Sequence, residues 1–133
     1  MTTTPVLAVS ALVIDSGEIL LVERGRGPRV GDWAIPGGRV EQGEMLAKAV
    51  EREVREETAL TVEPGELVGI NQIIEDPHHY VVACFHARLV GKREPAAGSD
   101  AAAARWFPLD EIRMLRLVPG LLDFLDTHGA VGG

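Results

Sequence analysis

The chain has 133 residues and a mass of 14.3 kDa, enough for one domain, expected over residues 1–133, with a core of its own. Apolar residues make up 46%, charged residues 25% and mean hydropathy is +0.09, which excludes a disordered or membrane-embedded chain. Twenty acids against thirteen bases give a net charge of −7 and a pI near 5.0, which disfavours nucleic acid as a partner but leaves open an anionic substrate held through a divalent cation.

Val6 to Ile14 is almost wholly apolar, Asp15-Ser16-Gly17 supplies turn chemistry, and Ile19 to Val22 is apolar again. This pattern predicts a β-hairpin whose first strand is buried on both faces. From Arg24 to Gly43 the chain carries six of its fifteen glycines, Pro28, Pro36 and four arginines, which predicts a long shaped loop with a short extended piece at Trp33 to Ile35. Helical spacing begins at Glu44 and runs to Thr58 through Leu46, Ala49, Val50 and Val54. Pro64-Gly65 reads as a break, Leu67 to Ile74 as a strand, Asp76-Pro77 as a turn and Tyr80 to Val90 as a second long strand. Gly91 to Ala104 reads as a mobile surface loop, Arg105 to Phe107 as a short strand, Asp110-Glu111 as a helix start and Pro119 to His128 as a closing helix. The order suggests a mixed sheet with helices on its faces, an α/β class.

The lone cysteine, Cys84, excludes a disulfide framework and a cysteine-rich zinc site, and its apolar surroundings make it a small buried hydrophobe. No stretch approaches the ~20 apolar residues of a membrane helix, and the first residues lack a secretory pattern. The expected location is the cytosol, with no membrane partner. The apolar strands read equally as core or as a homodimer edge.

On the helix, Glu53, Glu56 and Glu57 share one face. Glu44 precedes Lys48 and Glu51 precedes Arg55 in the favourable order, whereas Glu53 and Glu57 repel. The residues alone allow two readings, a solvated acidic helix or oxygen ligands for Mg²⁺ or Mn²⁺. Only five residues separate Glu44 from a Pro36-Gly37-Gly38 turn, whose backbone a ligand can approach closely.

Gly38, Glu44, Arg52-Glu53-Val54, Glu56-Glu57 and Leu60, at their spacing over residues 38–60, resemble the Nudix box. Trp33 to Gly38 and Ala104 to Leu109 resemble the segments that flank it in that family. Ala59 departs from the pattern, which has glycine there. A left-handed conformation is common at that site, so either the alanine bears strain or the helix closes differently. The resemblance implies a Nudix-type α/β/α sandwich with a mixed β-sheet. It also implies Mg²⁺- or Mn²⁺-dependent hydrolysis of a nucleoside diphosphate linked to another moiety, by water attack on phosphorus.

The metal ligands implied are Glu56 and Glu57, Glu53 as ligand or proton acceptor, and the backbone of Gly37 or Gly38. Arg52 would orient these acids, with Glu44 behind it. Arg24 and Arg39 are candidates for holding phosphate, and Asp100, ahead of Glu75, for a further carboxylate. Trp33 is a stacking surface or core. Arg26 and Arg29 read as solvated loop charges, and His78-His79 as loop residues. Pro77, 17 residues after Leu60, makes ADP-ribose or a nucleotide sugar the leading substrate. A MutT-type (deoxy)nucleoside triphosphate pyrophosphohydrolase is the alternative, and a non-catalytic nucleotide-binding module a remote one.

Overall fold

The two apolar runs around Asp15 close into a hairpin, β1 (Val6–Asp15) pairing antiparallel with β2 (Glu18–Arg24). Ser16 and Gly17 both have positive φ, 53° and 77°, as a two-residue hairpin turn matching strand twist requires. The computed structural model describes residues 4–27, 29–98 and 100–129; Pro28, counted above in the glycine-rich loop, lies outside them.

β1 is central, and Ala8 to Val13 are all buried, as its continuous apolar run demands. On one side it pairs parallel with β6 (His78–Val90), which takes β5 (Thr61–Glu75) at the edge. The short β4 (Gly37–Arg39) pairs antiparallel with β1, while β2 carries β3 (Trp33–Ala34) and β7 (Ala101–Pro108).

Alternation along the strands sorts the core into two halves. Val9, Ala11 and Val13 meet Ala49, Val50 and Val54 of α1 (Leu46–Thr58) on one face. Leu12, Ile19, Leu21 and Cys84 meet Ile112, from a 3₁₀ helix (Leu109–Met114), and Leu121, Phe124 and Leu125 of α2 (Leu121–Thr127) on the other. The sheet is therefore covered by helices on both sides, the α/β/α sandwich expected. Each fully buried leucine or isoleucine contributes on the order of 1.5–3 kcal/mol. No helix among the described residues is long and apolar enough to cross a membrane.

Four boundaries differ from the sequence reading. Pro64-Gly65 does not break the chain; β5 runs through it with register shifts at Pro64/Leu67 and Leu67/Gly69, which an edge strand tolerates. Gly37-Gly38 form a strand rather than a turn, because β1 offers them a partner. α1 starts at Leu46 after an extended Met45, and α2 starts after a left-handed Gly120.

The loop expected from Gly91 to Ala104 is shorter and fastened. Ala96 N–H donates to Thr58 O (2.9 Å) and Gly98 N–H to Glu57 O (3.2 Å), satisfying carbonyls left open at the end of α1. Ser99 lies outside the described residues.

Candidate active site

β4 lies close to β1 and α1 because Gly37 and Gly38 have no side chains to intervene. A Cβ on Gly37 would meet Val9 O, and one on Gly38 would fall 2.5 Å from the Glu53 carboxyl. The chain thus brings the α1 acids against a bare backbone strand.

Arg52 organises the acids. Its Nε and Nη2 donate to the two oxygens of Glu44 (2.7 and 2.8 Å), a bidentate pair, and Nη2 also to Arg39 O (2.9 Å). Its Nη1 donates to Glu53 Oε1 (2.8 Å) and Glu56 Oε1 (3.1 Å). Glu57 turns the other way, and its Oε1 accepts from Gly37 N–H (2.8 Å).

The electrostatics separate these groups. Arg52 holds Glu44 down, to about 2, and the Glu44 bond raises Arg52 further above its already high value. Burial raises Glu53 against the pull of Arg52. Burial pushes Glu57 up to about 7, with Glu53 and Asp100 adding to the rise and Gly37 N–H and Arg24 opposing it.

A cavity of about 1030 Å³ opens beside them, walled by Gly37, Gly38, Glu53, Glu56 and Glu57, with Arg24, Arg39 and Asp100 on its rim. Arg52 and Glu44 stand outside its wall and reach it through Glu53 and Glu56.

Trp33, a candidate substrate contact, is not in this wall. Its ring stands edge-on to Phe107 at 4.8 Å in the core half beneath α2, while its neighbour Ala34 faces the cavity. The sequence reading also missed wall residues. Ser10 and Cys84, paired across β1 and β6, and Asn71 and Tyr80 line the cavity, brought together by strand pairing that no local pattern reveals, with Phe124 of α2 beside them. Arg26 and Arg29, read as solvated charges, also face it, and their alternation with glycines was the available signal. His78 stacks on Tyr80 at 6.0 Å, with Arg39 over the same ring at 5.9 Å.

The convergence expected of three carboxylates is only partial. Among the described residues no three acids, histidines or cysteines stand together as a ready metal cluster, because Arg52 draws Glu53 and Glu56 while Gly37 draws Glu57. The donor set still fits a hard divalent cation: carboxylate oxygens beside glycine backbone, in a cradle that a Cβ would fill.

An α/β/α sandwich with this acidic helix against a glycine strand is the Nudix architecture, and the sequence model of the NUDIX domain family matches residues 4–127. The chain belongs to the Nudix hydrolase family. It is 36% identical over 112 residues to the ADP-ribose pyrophosphatase of Methanocaldococcus jannaschii, covering 84% of this chain and 66% of that protein. It is 34% identical over 105 residues to the human 8-oxo-dGDP phosphatase NUDT18, covering 77% of this chain and 32% of that one. The chain thus spans less than two thirds of these relatives. A crystal structure of a MutT Nudix hydrolase from Burkholderia pseudomallei superposes with a TM-score of 0.83 at 29% identity, covering 93% of this chain and 98% of that one.

Proposed function

We propose that the chain is a divalent-metal-dependent pyrophosphohydrolase that cleaves a nucleoside diphosphate linked to another moiety, with ADP-ribose or a related nucleotide sugar as substrate and Mg²⁺ or Mn²⁺ as cofactor. One observation carries the reading: Glu57, a partly buried acid in the cavity wall with one oxygen on Gly37 N–H, is pushed up to about 7. A chain folding for stability alone would not bury a carboxylate beside Glu53 and Glu56.

Glu56, Glu57 and the backbone carbonyl of Gly37 or Gly38 would hold the metal, which when bound neutralises charge developing on the phosphates. The chain's own groups supply the rest. Arg24 and Arg39 on the rim grip the diphosphate oxygens. Glu53, less acidic than an ordinary carboxyl and with Oε1 fixed by Arg52, takes the proton of the attacking water. Asp100 stands on the rim as a second candidate for that task. Glu44 acts through Arg52, locking the guanidinium that positions Glu53 and Glu56. Water oxygen bonds to phosphorus, the P–O–P bridge breaks, and ADP-ribose gives AMP and ribose phosphate.

The substrate choice is supported by Pro77 beside the cavity residue His78 and by a relative bearing the name ADP-ribose pyrophosphatase. A second reading, cleavage of (deoxy)nucleoside triphosphates, is favoured by the relative named oxidized purine nucleoside triphosphate hydrolase in Danio rerio.

A metal-dependent panel of ADP-ribose, sugar nucleotides, dinucleoside polyphosphates and (deoxy)nucleoside triphosphates, read by mass, tests this. AMP plus ribose phosphate supports the lead. Monophosphate plus pyrophosphate selects the second reading. Binding with no turnover in any metal refutes catalysis.

A further inference from the structure

We propose that Arg26 and Arg29, between β2 and β3, are phosphate-binding residues. In the substrate-free chain each holds a carboxylate at the cavity mouth, and it exchanges that carboxylate for a diphosphate oxygen of the incoming nucleotide. This rests on the cavity being a nucleotide site, as proposed above.

The segment that carries them has a defined shape. Arg24 N–H donates to Asp32 O (2.9 Å), Gly31 N–H to Arg24 O (3.0 Å) and Asp32 N–H to Arg29 O (3.0 Å), which closes its base. A Cβ on Gly25 would fall 2.6 Å from Asp100 O, and Gly25 N–H donates to that oxygen (2.9 Å). From this base the arginines reach opposite sides of the cavity mouth. Arg26 pairs with Asp100, next to β7, and Arg29 with Glu75 at the end of β5 (3.5 Å). All four residues line the cavity.

Arg29 is the telling position. The segment has left-handed backbone at Gly27 (φ 75°), Arg29 (φ 69°) and Gly31 (φ 90°). Two of the three are glycine, which takes that conformation without penalty, and the third carries a long cationic side chain. The Arg29–Glu75 pair does not explain the choice. Both side chains are about half exposed, and exposed pairs contribute little to stability. Strained backbone kept where it brings no stability is characteristic of binding sites. A guanidinium fork suits two phosphate oxygens, and the carboxylates it holds meanwhile present the same paired-oxygen geometry.

The decisive variant is Arg29→Gly, which removes strain and charge together. Its unfolding midpoint should match or exceed the parent's, while KM for the nucleotide turned over in the panel rises roughly tenfold, the loss of one charge-assisted contact. kcat should stay within about twofold, and the rise of KM with salt should flatten. Arg29→Lys should recover part of the loss, and Glu75→Gln, which frees Arg29, should lower KM. Calorimetric binding of ADP in Mg²⁺ reads the same contact without turnover. An inactive parent that binds ADP, with roughly tenfold loss in Arg29→Gly, would refute the hydrolase and support this proposal. Parent-like KM and ADP affinity in Arg29→Gly, or no ADP binding by the parent, would overturn it.

Discussion

Replacing Ala59 with glycine should stabilise the fold. Ala59 closes α1 at φ 65°, ψ 10°, with its N–H on Arg55 O (2.9 Å), a left-handed cap in which Cβ crowds the following carbonyl. The penalty for a residue with Cβ is about 1–2 kcal/mol. Two effects oppose its relief: glycine's extra freedom in the unfolded chain, about 0.5–1 kcal/mol, and the loss of one half-buried methyl, a few tenths. The net gain is about 0.5 kcal/mol. With an unfolding entropy of about 2.1 cal/mol/K per residue, a chain of 133 residues should then melt about 2 °C higher. Neighbouring Thr58 keeps the corner in place, its Oγ1 donating to Val54 O (2.7 Å) and accepting from Leu60 N–H (3.2 Å), so the variant has no reason to re-route the chain. Calorimetric melts with urea titrations at unchanged m would measure the gain. A clear drop in midpoint would refute the strain assignment.

Glu57→Gln should abolish Mg²⁺-dependent turnover in a folded protein. Since burial raises Glu57 from 4.5 to about 7, ionisation weakens the metal-free fold as pH climbs through that window; melts in chelator should show the variant equal to the parent near pH 4.5 and more stable at pH 8. Glu44→Gln should behave oppositely: with Glu44 held near 2 by Arg52, its stabilisation is present above pH 4.5 and fades as pH falls toward 2, so the parent's advantage in acid-unfolding curves should vanish at the acid end.

What could be read from the sequence was what is local. The apolar period of α1, the turn at Asp15-Ser16-Gly17 and the buried run of β1 each depend on near neighbours, and the structure has them within a residue or two. The left-handed backbone at Ala59 is one of the two outcomes that its place in the box, where the pattern has glycine, allowed. Gly37-Gly38 were misread as a turn, because only pairing with β1, across about 28 residues of chain, makes them a strand. Pro64-Gly65 was misread because an edge strand forgives what a central one would not. At the site, α1 announced its acids, but Ser10, Asn71 and Tyr80 meet only through the registers of β1, β5 and β6.

The acidic helix face is tolerated in two different ways, and the difference matters for where a cation acts. Glu53 and Glu56 are held by Arg52, itself anchored by both oxygens of Glu44 and by Arg39 O, although burial still leaves Glu53 above an ordinary carboxyl. Glu57 has Gly37 N–H and the charge of Arg24 against burial and the charges of Glu53 and Asp100, and the balance leaves it raised to about 7. The larger rise thus falls on Glu57, the acid bound to Gly37 N–H. A divalent cation bound there would relieve the greatest electrostatic cost in the site. Metal affinity should therefore depend more steeply on Glu57 than on Glu56, although both stand on the same turn of the same helix.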